Sequence, residues 1–396
     1  MNYMIFDLGG SFIKIYDSDT KKITKIKMFE EPVICLKELK KIILNNLNTS
    51  IDYIGISSQM HGFILFDENN NNISEFITWK NYASNNILNE NTFDEFKNTG
   101  LQKRNDLPIN NLNDFLIKNN IFNKKIHFKN ITEGILDESF GITHDTMACG
   151  HGFYNIFSQN YIHEYIEYFK HTFNIDLVFD NVVNNNQISG FIYYENKKIP
   201  VYIGLGDLQA SINSFCFKKD FLLLNLATGS QIVSIVNECS NNINPNISYR
   251  PFFSRYLKCI THIPSGRFLN IYVDFFNEIN INFWEYINNL SLDDLYNSNL
   301  NIETDIFSKE GISISGIKYN LNLKNLISSI LYSYINQYIT LIKSNNFTYN
   351  FILLSGGIGK KVKLIKLMIE KELHRDVIIN ESDDDSLFGV IKFINK

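Results

Sequence analysis

The chain has 396 residues, of which 44% are apolar and 20% charged, with a formal net charge of −5. That composition can bury a core of ordinary size in two or three domains, and its acidic balance argues against a nucleic-acid partner, which needs a concentrated basic face. No uninterrupted apolar run reaches the roughly 18 residues of a membrane span, and the N-terminus lacks a signal-peptide pattern, so a cytoplasmic protein without a membrane partner is expected.

In chain order, Tyr3 to Asp7 is a short apolar run, Gly9-Gly10-Ser11 a turn, and Phe12 to Tyr16 a second β-rich run, which together predict a hairpin. Lys21 to Lys27 reads as a solvated strand or turn. Strands are predicted at Ile51 to Ser57 and Phe63 to Phe66. Helical spacing appears over Phe93 to Gly100, Leu112 to Lys118 and Asn160 to Phe169. A second half opens near Pro200, with a strand at Val201 to Gly204, a turn at Gly206-Asp207 and a helix from Leu208 to Phe215. Strands at Leu222 to Leu226 and Ile232 to Val236 flank Thr228-Gly229-Ser230. Leu323 to Lys343 is a long amphipathic helix. The strand at Phe351 to Leu354 runs into Ser355-Gly356-Gly357-Ile358-Gly359, and Val362 to Glu372 is a helix. Each half thus opens with strands whose turns are rich in Gly, Ser and Thr, and the division falls near residue 202.

Glycine lets backbone N–H groups approach phosphate oxygens closely. Three strands here end in such turns, Asp7 to Ser11, Ala227 to Ser230 and Ser355 to Gly359. Neither the Walker nor the dinucleotide pattern is present. Cys35, Cys149, Cys216, Cys239 and Cys259 lack the spacing of a zinc or redox site and read as reduced thiols. His144, Asp145 and His151 do not make a zinc set with a third ligand.

The order of the motifs is more specific than any one of them. Asp7-Leu8-Gly9 with Ser11 and Lys14 resembles the first phosphate motif of the FGGY carbohydrate kinases, in the actin-like ATPase superfamily. Ile54 to Gly62 resembles the sugar-binding strand and turn of the xylulose kinase type, and Phe76 to Trp79 the segment after it. Gly204 to Ala210 is similar to the catalytic turn, Leu226-Ala227-Thr228 to the second phosphate motif, Gly356-Gly357 with Gly359 to the adenosine motif, and Leu387-Phe388-Gly389 to the closing helix. Softer matches at Gly206 to Gln209, at Thr228 with Gln231, and at Tyr249 to Phe252 point to the sedoheptulose kinase branch.

The resemblance implies two ribonuclease-H-like α/β domains, 1–202 and 203–396, with ATP and Mg²⁺ in the cleft between them. Asp207 would be the catalytic base and a sugar contact, although an Asp there also caps a helix starting at Leu208. Gln59, Met60, His61, Gly62 and Trp79 would bind the sugar, Trp79 being equally at home in a core. Gly9, Gly10, Ser11, Lys14, Thr228, Gly229, Gly356, Gly357 and Gly359 would hold ATP, with a solvated face as the alternative for Lys14. Asp7 would reach Mg²⁺ through water. The implied reaction is ATP-dependent phosphorylation of a ketose, a heptulose ahead of a pentulose. The rival is a non-catalytic sugar sensor on the same fold, and a homodimer is left open. The chain departs from the family pattern at Gly10, where Thr is usual, and at Lys80-Asn81 after the Trp.

Overall fold

Two β-sheets built on the same strand plan organise the chain. The computed structural model describes residues 1–395 apart from 90–92, 216–219, 228, 241–245, 307–312, 318–320 and 383. The first sheet contains β1 (Tyr3–Leu8), β2 (Phe12–Asp17), β3 (Lys22–Lys27), β4 (Tyr53–Ser58), β5 (Glu138–Ser139), β6 (Ile188–Tyr194), β7 (Lys197–Tyr202) and β8 (Leu205–Gly206). Their order is β3-β2-β1-β4-β7-β6-β5, with β8 also beside β4. β1 is buried from Met4 to Leu8, as expected of a central strand covered on both faces. β3 is the exposed Lys-rich edge, where charge discourages further pairing.

The second sheet contains β9 (Phe221–Leu226), β10 (Gly229–Val236), β11 (Ser248–Phe252), β12 (Arg255–Pro264), β13 (Phe351–Ser355) and β14 (Val377–Ile379), in the order β11-β12-β10-β9-β13-β14. In each sheet an antiparallel hairpin, β1-β2 or β9-β10, is followed by a strand parallel to its first member. The weak internal similarity in the sequence is therefore a repeated topology.

Six helices complete the frame around the site: α1 (Asp207–Phe215), α2 (Gly266–Glu278), α3 (Leu323–Ser344), α4 (Gly357–Lys361), α5 (Lys363–Leu373) and α6 (Asp385–Ile394). α3 buries a stripe including Ile327, Leu331, Tyr334, Ile335 and Tyr338 against the second sheet. α6 belongs to the second half by sequence but packs on the first sheet. A β-carbon on Gly55 of β4 would meet Ile394 at 2.5 Å and Val390 at 2.8 Å, and Leu387, Val390 and Phe393 share one buried cluster with Ile5 of β1 and Ala210 of α1.

Differences from the sequence reading have local causes. Asn160–Tyr161 is a short strand, and the helix runs His163–Phe173, because Tyr165, Phe169 and Phe173 form the buried stripe. The helical spacing over Phe93 to Gly100 belongs to a 3₁₀ helix, Asp94–Thr99, stopped by Gly100 at φ +71°. The hairpins β6-β7 and β11-β12 carry no two-residue Asn-Gly or Asp-Gly turn and were not expected.

A short helix, Ile131–Gly134, supports the floor of the site, since Thr132 fills the space beside Gly204 just before β8. It also buries Glu133, 1% exposed, whose Oε1 accepts the Thr132 hydroxyl at 2.8 Å. Burial, helped by the charge of Asp180, pushes the Glu133 carboxyl up from 4.5 to about 8. The folded state therefore keeps a proton that the unfolded chain releases near 4.5. The stabilisation from this group is full below that pH, declines as pH rises, and is gone above about 8. Glu133→Gln removes the titration. Its melting temperature should exceed wild type at pH 8.5 and lose that advantage at pH 4.5; identical pH slopes for the two proteins would contradict the assignment.

Candidate active site

β1 and β4 run parallel, with Leu8 beside Ser58, so the Gly9-Gly10-Ser11 turn and the Gln59 to Gly62 segment emerge at the same edge. In the second sheet Asn225 of β9 lies beside Ser355 of β13, which brings the turns after them together. Gly356, at φ +86°, packs so tightly on the Leu226 carbonyl that no β-carbon fits. Carboxyl ends of parallel strands are where open α/β sheets place ligands.

Asp7 is 5% exposed, and both its oxygens are occupied: Ser57 donates to Oδ1 at 2.9 Å and Ser386, from α6, to Oδ2 at 2.6 Å. Burial raises its pKa, and the two hydroxyls oppose the shift. Asp207 opens α1 and is half-buried. Its Oδ1 accepts the Leu208 N–H at 2.8 Å, so it does satisfy its own helix terminus. Burial first, and the charge of Asp7 second, push the Asp207 carboxyl up to about 6. The two carboxylates, far apart in sequence, therefore face one space.

His61 follows Met60, whose sulfur packs on Gly206 next to Asp207. Its Nδ1 lies 2.7 Å from the Gly150 carbonyl, which can only accept, so that nitrogen carries the proton and Nε2 is left as an acceptor. Burial, together with Arg104 and Arg250, holds the ring well below the usual histidine range, hence neutral. Met60 is buried, with its sulfur against Gly206 of β8. Gln59 is 4% exposed, and neither atom of its amide finds a partner among the described residues. The absent side chain of Gly62 serves packing, since a β-carbon there would meet the Phe76 ring at 2.6 Å.

Trp79 lies over the first glycine turn. A β-carbon on Gly10 would come within 3.1 Å of the indole Nε1 and 3.2 Å of Cζ2. The departure from Thr at this position is thus matched by an aromatic ring in the adjacent space. The Lys80 ammonium is turned away, donating to the Phe29 carbonyl at 2.8 Å.

The remaining glycines divide by role. Gly9 closes the hairpin, its N–H donating to the Phe12 carbonyl at 3.1 Å. Gly229 and Gly357 have open space where a β-carbon would stand, whereas Gly359 packs against Leu354. Ser230, next to Gly229, is anchored by the Tyr338 hydroxyl of α3 at 3.0 Å. Ser11 is exposed at the turn. Lys14 pairs with Asp384 at 3.5 Å, beside Lys25 at 3.0 Å from the same carboxylate. Thr228 lies outside the described residues. His144 Nδ1 accepts the Thr146 N–H at 3.2 Å and lies 2.9 Å from Asp145 Oδ1, and no His, Cys, Asp or Glu cluster suited to a metal occurs among the described residues.

Sequence reasoning assigned no role to Ser57, Ser386, Arg104 or Arg250. Ser386 is brought in by the return of α6, and no local pattern announces that. Arg104 bonds Asp106 at 2.8 Å and reaches His262 at 2.9 Å from a loop without periodicity.

A model of the N-terminal domain of the FGGY family of carbohydrate kinases matches residues 17–214, half of the chain. Among solved structures, a ligand-bound xylulose kinase from Lactobacillus acidophilus superposes with a TM-score of 0.81 at 15% identity, covering 100% of this chain and 89% of that one. A gluconate kinase from the same organism gives 0.80 at 16%, covering 100% and 89%. Plasmodium falciparum glycerol kinase with ADP gives 0.80 at 14%, covering 99% and 89%. At these identities the likeness establishes the shared two-domain actin-like ATPase fold. No curated protein matches the chain in sequence.

The Gly10–Trp79 contact is directly testable, because the chain has two Trp residues. In a Trp284→Phe background, Gly10→Thr should shift the indole emission to longer wavelength as the ring is displaced. In a double-mutant cycle with Trp79→Ala the destabilisation by Gly10→Thr should largely vanish. Unchanged emission would mean that the ring does not occupy this space.

Proposed function

The chain belongs to the FGGY family of carbohydrate kinases, and on that premise we propose that Asp207 is the base of the transfer and that the Gln59–Met60–His61 segment seats the acceptor sugar. The protein is a phosphotransferase with an alcohol group as acceptor and ATP as co-substrate. The observation that carries the residue assignment is the proximity of Asp7 to Asp207, with Asp207 held near 6 by burial and by Asp7.

Phosphoryl transfer depends on positioning and on neutralising charge. Asp207, ionised above about pH 6, accepts the proton of the attacking hydroxyl. The N-terminus of α1 favours its anionic form. His61 Nε2 accepts from a sugar hydroxyl, and the Gln59 amide offers both a donor and an acceptor. Trp79 covers the first phosphate turn and keeps water from the transfer space.

ATP, in this reading, spans Gly9, Gly10 and Ser11 on one side and Thr228, Gly229 and the Gly356 to Gly359 turn on the other. Its adenosine lies at the open face of Gly357. Lys14 neutralises Asp384 and acts on phosphate only at longer range. Mg²⁺ would supply charge neutralisation at the phosphates. Asp7 suits a water-mediated contact, since each of its oxygens keeps a lone pair beyond the serine hydrogen bond. Residues 1–202 then carry the sugar and first phosphate motif, and 203–396 the base and the nucleotide, with α6 crossing back. The acceptor is proposed to be a ketose, and a heptulose ahead of a pentulose rests only on Gly206 to Gln209, Thr228 with Gln231, and Tyr249 to Phe252.

Two measurements test this. Asp207→Asn should bind ATP and acceptor in calorimetry almost as wild type does, yet lose at least about 100-fold in turnover; wild-type turnover would remove Asp207 from the mechanism. In the wild type, kcat/KM should fall about tenfold per pH unit below about 6, because the base must be unprotonated. A limb near the ordinary Asp value of 3.8 would show that burial and Asp7 do not act on the base.

A further inference from the structure

Arg250 is 6% exposed on β11, and its guanidinium has few partners among the described residues. Nη1 reaches only the Met60 thioether, at 3.8 Å, a weak acceptor. Among the described residues Nε has none and no ion pair to a carboxylate forms, although the Asp207 carboxyl is near enough to feel the guanidinium charge. A buried charge in this state is costly unless a ligand completes it. Its position says which ligand. Met60 joins Gln59 to His61, and its sulfur also touches Gly206, the residue before Asp207. Arg250 therefore lies at the acceptor end of the cleft, close enough to influence both His61 and Asp207. The other basic residues there would not meet an anion in its place. His61 is neutral, Arg104 already has Asp106, and Lys80 is engaged by Phe29. The buried Gln209 amide donates to the Pro251 carbonyl at 3.2 Å, and its Oε1 is also unpartnered.

We infer that the acceptor carries an oxyanion, a carboxylate or a phosphate remote from the hydroxyl that is phosphorylated, and that Arg250 binds it. A guanidinium fork matches two oxygens of such a group, and a charge-assisted pair is stronger than a bond to a neutral hydroxyl. This rests on the placement of the acceptor at Gln59 to His61, and it shifts the acceptor from a neutral ketose to an acidic sugar or sugar acid.

The test is calorimetry on the full chain with matched ligands that differ in charge: D-gluconate against D-glucitol for a carboxylate, and D-fructose 6-phosphate against D-fructose for a phosphate. At least one acid should bind about 10- to 150-fold more tightly than its neutral counterpart. Arg250→Met should bring that ratio near one, and Arg250→Lys should restore part of it. Arg250→Met should also keep or raise the ligand-free melting temperature, because it removes an unpaired buried charge; a purely structural arginine would lower it. The inference is overturned if neither acid outbinds its neutral partner, or if the ratio survives Arg250→Met. ADP release separates the two readings. Charge discrimination in binding without ADP release from any acceptor would fail the kinase assignment alone. Release with equal efficiency from neutral and acidic acceptors would fail this inference alone.

Discussion

Gly389 of α6 lies against the Ala210 carbonyl of α1 with no room for a β-carbon. That crossing fixes the relation between the two halves. α1 starts at Asp207, and α6 starts one residue before Ser386, which holds Asp7. Both helix starts are thus delivered to one space by a single close contact, sealed by Ile5, Leu205, Leu387, Val390 and Phe393. A bulkier side chain at 389 would separate the helices, and the Asp7–Asp207 relation with them. Asn213 reinforces the crossing, donating to the Gly389 carbonyl at 2.7 Å.

The electrostatics of the cleft follow from that placement. Burial and the charge of Asp7 raise the cost of ionising Asp207, and burial raises that of Asp7. The serine hydroxyls on Asp7 and the Leu208 N–H on Asp207 offset part of it. A cation delivered with the nucleotide would offset more. Around Met60 the excess is of the opposite sign, with Arg250 buried and near a neutral His61.

Much of this was legible in the sequence. The hairpin at Tyr3 to Asp17, the paired Gly-rich strand ends, the helix after Asp207 and the long helix at Leu323 follow from periodicity and turn residues. The motif order identified the family that the N-terminal model then matched. What could not be read are contacts made by tertiary return. Ser386 meets Asp7 across almost the whole chain, and Arg250 reaches Met60 from a different sheet. Gly10 was legible as a departure, but its cause, the indole of Trp79 in the adjacent space, needed coordinates. The packing of Phe76 against Gly62 likewise needed coordinates, because the turn after Ser58 does not reveal which neighbour its glycine meets.

The most direct measurement is a crystal structure of the complex with a non-hydrolysable ATP analogue, Mg²⁺ and an acceptor sugar. The attacking hydroxyl oxygen should lie about 2.6–3.2 Å from an Asp207 carboxylate oxygen, with the terminal phosphate between the Gly10 and Gly229 turns and the metal on the Asp7 side. An acceptor hydroxyl nearest another base, or a nucleotide seated away from those turns, would contradict the placement of the site at the crossing of α1 and α6.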